Sequence, residues 1–193
     1  MKTINKMRLE KTLMCALLFI GPHGLIAAAK PVNGQPLTAA DRALKIEKEE
    51  SRSPIGCKDL GYTFDLKTLY IESDSEEAKQ SLYFIYNRSP HSIDLFQMRG
   101  EESARSMFLN HRVGAKQWAV LSTSHKHMRY VCAIAEGKSP YGKIVDCGNT
   151  LKVCQYNNVR YGMNNQGNYW LVNSSTRTGA VNAVVHYGII PGI

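Results

Sequence analysis

The chain has 193 residues, enough for one ordinary domain once a leader is set aside, and carries a formal net charge of +8 at pH 7. Its lysines and arginines are scattered, with no run of three. No RNA-binding or groove-binding signature occurs, so the sequence argues against nucleic acid as a partner.

Residues 1–29 have the three parts of a secretory signal peptide. Four basic residues precede an apolar run at 13–20, and Ala27, Ala28 and Ala29 form a small-residue cleavage site before Lys30. A glycine and a proline at 21–22 interrupt the apolar run, which is too short for a membrane span, and no second run of spanning length follows. We expect cleavage near Ala29 and a periplasmic or secreted product with no transmembrane span. The leader carries four of the 24 Lys/Arg and one of the 16 Asp/Glu, so the remaining chain would carry +5.

Residues 30–56 are rich in charge, proline and glycine. Thr38 suits the N-cap of a short helix, Asp41 lies near the favourable end of its dipole, and Pro54 closes the segment. This composition predicts a mobile arm that can carry one short helix. Residues 57–193 are then a single β-rich domain.

Short apolar runs with period-two alternation follow one another from residue 57 at spacings of about ten residues. They predict eight or nine strands in an antiparallel β-sandwich or barrel, an all-β fold, and we take the sandwich as the prediction. The helix predicted inside the domain is residues 101–111 (EESARSMFLNH). Trp118, ahead of Cys132, adds an immunoglobulin-like analogy. The predicted strands lie in YTFDLKTLYI, QSLYFIYN, HSIDLFQM, KQWAVLST, HMRYVCAIA, KIVDC, LKVCQY, NYWLVNSS and AVNAVVHYG.

Four cysteines remain after the leader, an even number that indicates two disulfides in an oxidising compartment. If Gly148 and Asn149 form a two-residue hairpin turn, Cys147 and Cys154 lie about 10 Å apart, too far to bond. The pairing is then Cys57–Cys147 with Cys132–Cys154, or Cys57–Cys154 with Cys132–Cys147. An open loop would instead allow Cys147–Cys154 with Cys57–Cys132.

No catalytic, nucleotide, cofactor or metal motif of known spacing is present, so we predict no enzyme activity and no cofactor. His125 and His127 could share a face toward one metal ion, but a third ligand is not in view. Asp146, at a turn, suits a capping role. The alternative function is an enzyme acting on cell-wall glycan or peptide, in which Asp146 and one of these histidines would do acid–base work.

The tract at 161–173 mixes aromatic rings with amide side chains, as recognition surfaces do. It is the candidate binding surface for a protein partner or a glycan. The other interpretation is a Gly/Asn turn whose aromatic side chains sit in the core. The candidate residues are Tyr161, Asn164, Asn165, Asn168 and Tyr169.

A succession of landmarks over roughly residues 57–172 resembles the EnhB family of enhanced-entry proteins, small exported proteins of Gram-negative intracellular bacteria. The landmarks are CKDLGYTFDLKTLYI, QSLYFIYNRSPHSIDL, QWAVL, YVC, VDCGNTLKVCQY and GNYWLV. The resemblance implies a periplasmic or secreted protein that is linked to entering host cells and acts beside other envelope proteins. It supplies no catalytic residues. We therefore expect an accessory protein that is associated with the envelope or with virulence. Its expected partner is a protein in the envelope or on the host cell.

Overall fold

The computed structural model describes residues 38–72, 81–99, 107–136, 139–156, 159 and 168–191. All of them belong to one unit, Thr38–Ile193. The predicted leader, its cleavage site and the first residues of the predicted arm lie outside the described residues.

Two sheets, antiparallel throughout, hold the described strands. In spatial order, the first sheet consists of β1 (Cys57–Lys58), β10 (Leu151–Tyr156), β4 (Ser81–Asn87), β7 (Trp118–Thr123) and β11 (Asn168–Ser174). The second consists of β2 (Tyr62–Asp65), β3 (Thr68–Glu72), β8 (His127–Ile134), β5 (Ile93–Met98) and β6 (Met107–Val113), with β9 (Lys143–Val145) paired to β8. The predicted all-β antiparallel sandwich is confirmed.

Three helices accompany the sheets in the described part of the chain: α1 (Ala39–Glu50), α2 (Cys147–Thr150) and α3 (Arg177–His186). The helix predicted in the arm is confirmed as α1. Thr38 is its N-cap, and Thr38 and Asp41 form a reciprocal capping box. None of these helices has the length and apolar character needed to cross a membrane.

The core has two main layers, which explains why β4 is buried at every position. Tyr83 and Ile85 point into the space between the sheets, where the largest cluster lies. Leu82, Phe84 and Tyr86 point the other way, into a second cluster that α3 covers with Ala180, Val181 and Val184. A central strand covered on both faces reads as a nearly continuous apolar run, as the sequence of β4 does.

The described end of the arm is fastened to the sandwich by hydrogen bonds, although α1 buries none of its own residues. The indole nitrogen of Trp118, which is fully buried, donates to the carbonyl of Glu50 at 2.9 Å. Lys116 pairs with Glu47 at 2.5 Å. The last turn of α1 therefore has a fixed place beside β7.

The four cysteines form two disulfides, Cys57–Cys154 and Cys132–Cys147. This is one of the two pairings that the hairpin argument left open. Cys57–Cys154 joins neighbouring strands of the first sheet, and Cys132–Cys147 joins β8 to α2, so neither links a strand of one sheet to a strand of the other as the immunoglobulin pattern does. Two such bonds fit an extracellular or periplasmic protein.

The predicted hairpin about Gly148 and Asn149 is wrong. Asp146 accepts hydrogen bonds from the backbone nitrogens of both residues and caps the single turn of α2. That turn carries the chain from β9 in the second sheet to β10 in the first, so the two strands do not pair. For this reason Cys147 lies in the cluster between the sheets, and Cys154 lies in the second cluster, which α3 covers.

Two other predictions of secondary structure are also wrong. Within the predicted helix 101–111, residues 107–111 lie in β6, and 101–106 lie outside the described residues. A register shift at Asn110 breaks the period-two pattern of β6, which made the segment look helical. The predicted strand AVNAVVHYG is largely α3, whose buried residues Ala180, Val181 and Val184 have helical spacing.

Candidate functional site

The β7–β8 turn and the start of β11 meet at one end of the sandwich, which we call the loop end (residues 123–127 and 168–169). Asn168 pairs with Thr123 in the sheet. The Thr123 hydroxyl donates to the side-chain carbonyl of Asn168 at 2.8 Å and accepts from the backbone nitrogen of His125 at 3.1 Å. The structure therefore brings together two separate sequence features, the histidine-containing turn and the aromatic–amide tract.

Asn168 uses its side chain inside the sandwich. Its amide nitrogen donates to the Gln97 side chain at 2.6 Å and to the Tyr130 hydroxyl at 3.1 Å. With the bond from Thr123, three of its four hydrogen-bonding positions have partners. Asn168 thus joins the two sheets at the loop end.

Tyr169 points to the opposite face of β11, because successive residues of a strand alternate. It pairs with the buried Ser122 and is itself half-buried, on the outer side of the first sheet. The other three candidates, Tyr161, Asn164 and Asn165, lie outside the described residues. Of the predicted binding surface, Tyr169 is the described residue that presents a ring outward.

The edge strands β6 and β11 face each other across the sandwich, and side chains join them along what we call the seam (Asn110, His111, Trp170 and Asn173). The imidazole of His111 stacks on the indole of Trp170, with ring centroids 3.9 Å apart and planes within 5°. His111 Nε2 is 2.8 Å from Asn173 Oδ1, and Asn173 Nδ2 donates to the carbonyl of Arg112. In this orientation of Asn173, a neutral His111 that is protonated on Nε2 donates to Asn173 Oδ1.

Deeper in the seam, Asn110 accepts two hydrogen bonds. Its side-chain oxygen receives the indole N–H of Trp170 at 2.8 Å and the hydroxyl of Tyr130 at 3.2 Å. Tyr130 is fully buried, and burial raises the pKa of its phenol. Polar side chains thus close the sandwich along the edge where strand-to-strand bonding ends.

Burial in the seam lowers the pKa of His111 below its usual value of 6.5, and the hydrogen bond to Asn173 opposes that effect. A histidine with a lowered pKa in the folded state binds its proton more readily when unfolded. The seam is therefore expected to lose stability as the pH falls through 6.5, and to lose no more once the pH is below the folded pKa.

A His111→Gln variant tests this dependence, because glutamine keeps a donor for Asn173 and cannot gain the charge. We expect the melting temperature of the wild type to exceed that of the variant by more at about pH 7.5 than at about pH 5. The matched control is Asn149→Gln, at an exposed residue that does not titrate, which should change the melting temperature by the same amount at both pH values. If wild type and His111→Gln differ in melting temperature by the same amount at both pH values, the pKa of His111 is not lowered by burial, which would contradict the prediction.

His125, Lys126 and His127 are exposed, as expected for the tip of a turn. Nδ1 of His127 is 2.7 Å from the Tyr70 hydroxyl, and Glu72 lies 4.0 Å from the same ring nitrogen. Within the described ranges, no three His, Cys, Asp or Glu side chains are placed to hold a metal ion.

The residues of the alternative enzyme hypothesis are not brought together. Asp146 caps α2 through Gly148 and Asn149. It follows the β9 residue that pairs with Cys132, so it is about four strand positions, or ~13 Å, from His127. Acid–base cooperation over that distance would need a bridging substrate or water chain.

Sequence reasoning missed His111 and Asn110 because both lie in the segment predicted as a helix. The signal that could have found them is the polar pair Asn–His inside an apolar run, together with the aromatic–amide pattern of β11. The geometry defines a disulfide-stapled antiparallel β-sandwich with a polar, aromatic seam. No family model matches the sequence, and no curated protein or solved structure matches it either.

Proposed function

We propose that this protein is exported and works by binding rather than by catalysis. Its proposed role is that of an accessory protein, in the bacterial envelope or associated with virulence. Its proposed role resembles that of the EnhB family, which links it to entering host cells. The partner is a protein of the envelope or of the host cell, bound at the loop end.

The observation that supports the proposal is that Tyr169 directly follows Asn168, which is hydrogen-bonded to Thr123 at the start of the 125–127 turn. Tyrosine is enriched at protein interfaces and among the residues that contribute most to binding. The two disulfides agree with a site outside the cytoplasm. Asp146 is occupied as a helix cap, which gives the enzyme alternative no support.

A photo-crosslinking amino acid placed at Tyr169 tests the proposal in the bacterium that exports the protein. We expect ultraviolet light to give one dominant adduct, whose partner is identified by mass spectrometry. The matched control places the same amino acid at Leu66, an 84% exposed residue in the β2–β3 turn, at the other end of the sandwich.

Adducts of equal yield at Leu66, or none at Tyr169, would contradict binding at the loop end. Incubation of the purified protein with peptidoglycan separates binding from catalysis. Release of soluble glycan or peptide fragments would contradict the non-catalytic assignment.

A further inference from the structure

A groove lies between α3 and the segment that leads into β1, away from the seam. It has a volume of about 310 Å³. Pro54, Ile55, Val181 and Val185 supply its apolar lining, and Arg177 and Asn182 are among its polar lining residues. This volume is at the lower end of the range for ligand sites and suits one side chain rather than a large cofactor.

The wall that carries Pro54 and Ile55 is held from two sides. Next to it, the backbone nitrogen of Cys57 donates to the carbonyl of Pro54 at 3.0 Å, and Cys57 is bonded to Cys154. On the α1 side, Lys152 donates to the carbonyl of Ser51 at 2.7 Å. A wall anchored at both ends keeps the groove formed in the absence of a ligand.

The charges beside the groove decide what kind of ligand it favours. The Arg177 guanidinium lies 3.4 Å from a Glu49 oxygen, and the Arg177 backbone nitrogen donates to Glu50 at 2.7 Å. These two carboxylates offset the positive charge of Arg177 and disfavour a third carboxylate. A guanidinium has five N–H groups, so donors remain for the carbonyl oxygens of an uncharged ligand.

We propose that this groove is a second binding site, which takes a neutral peptide segment by one aliphatic side chain. The side chain fills the space between Ile55 and Val185, and the peptide carbonyls accept hydrogen bonds from Arg177 and Asn182. Ile55 is 76% exposed, which leaves the groove open at its side for a chain to pass. The site goes beyond the proposed function, because it needs no partner at the loop end.

The probes are N-acetyl-leucine methylamide, its alanine counterpart and N-acetyl-leucine with a free carboxylate. Methyl NMR signals of Val181 and Val185 report binding. We expect saturable shifts with the leucine amide at a Kd of about 1 mM, the affinity typical of a ligand of that size. Binding should weaken at least about tenfold with the alanine amide, which lacks most of the apolar side chain. The carboxylate should also bind more weakly.

Two variants locate the probe. Val185→Thr keeps the shape of the lining and adds a hydroxyl, and Ile55→Ser removes an exposed wall residue without touching the core. Each is expected to weaken binding by about fivefold, since each removes apolar contact. Leu66→Ser is the matched control at the far turn and should leave the Kd unchanged.

Shifts that do not saturate, or equal affinities in all variants, would overturn the site. A carboxylate that binds as tightly as the amide would overturn the neutral class of ligand. Since the probes act on the purified protein alone, failure here leaves the crosslinking result at Tyr169 unaffected, and failure at Tyr169 leaves the groove unaffected.

Discussion

Replacing Asn87 with alanine is expected to lower the free energy of unfolding by about 4 kcal/mol, because a buried amide is lost whose two N–H groups and oxygen all have hydrogen-bond partners. The Asn87 side chain is fully buried. Its amide nitrogen lies within hydrogen-bond distance of the carbonyls of His91, Val113 and Gly114, at 2.7 to 3.1 Å. Its oxygen accepts from the backbone nitrogen of Ser89 at 2.9 Å.

The size of this effect follows from what Asn87 holds together. It sits at the end of β4 and ties the turn before β5 to the turn after β6. Without the amide, carbonyl groups of both turns would lose a donor. The loss is most costly at the Val113 carbonyl, whose bond to Asn87 is buried, whereas the Gly114 carbonyl also accepts from the backbone nitrogen of Gln117.

Thermal or denaturant unfolding of Asn87→Ala checks the prediction, and a fall in melting temperature of about 10 °C is expected for a domain of this size. Asn87→Asp keeps the acceptor for Ser89 but sets a carboxylate oxygen against the three carbonyls, so it should be at least as unstable. Asn149→Ala, on an exposed residue of α2, should change the unfolding free energy by less than about 0.5 kcal/mol. Near-wild-type stability of Asn87→Ala would show that the two turns do not depend on it.

Removing the Cys57–Cys154 disulfide is expected to have the other large effect on the free energy of unfolding. Cys57 and Cys154 are 97 positions apart, and Cys132 and Cys147 are 15 apart. In the chain-entropy model, loops of these lengths correspond to about 4.7 and about 3 kcal/mol of stabilisation. Replacing Cys57 and Cys154 with alanine should therefore destabilise the protein more than replacing the other pair.

A second reason, besides loop length, makes the Cys57–Cys154 bond the more important of the two. β1 is two residues long and has pairing partners only on β10 within the described chain. With so few backbone bonds, the disulfide is the main link that holds β1, and with it the wall of the groove, to the first sheet. Chemical denaturation of both double variants in parallel checks the order, and a smaller effect for the Cys57/Cys154 pair would contradict it.

Period-two alternation was sufficient to predict the sandwich. The central strands β4 and β7, whose residues alternate between two covered faces, instead appear in the sequence as short continuous apolar runs. The even cysteine count predicted two disulfides, and the final pairing needed the sheet order, which places Cys154 beside β1 and Cys147 under β8.

The seam and the groove could not be predicted, for physical reasons. Register shifts at Asn110 and Leu171 interrupt the alternation of β6 and β11, so local pattern misjudges which side chains face inward. The stacking of His111 on Trp170 joins residues 59 positions apart, and the groove joins Pro54 to α3. Such contacts depend on tertiary packing, which overrides local propensity.

The most direct test of an exported, disulfide-stapled binding protein is peptide mapping, without reduction, of the protein isolated from the exporting bacterium. The structure predicts peptides linked through Cys57–Cys154 and Cys132–Cys147, with these four thiols blocked. The sequence predicts a chain that starts at Lys30, after removal of the leader. Free thiols in the native protein, a Cys147–Cys154 link, or a chain that retains residues 1–29 would contradict the account.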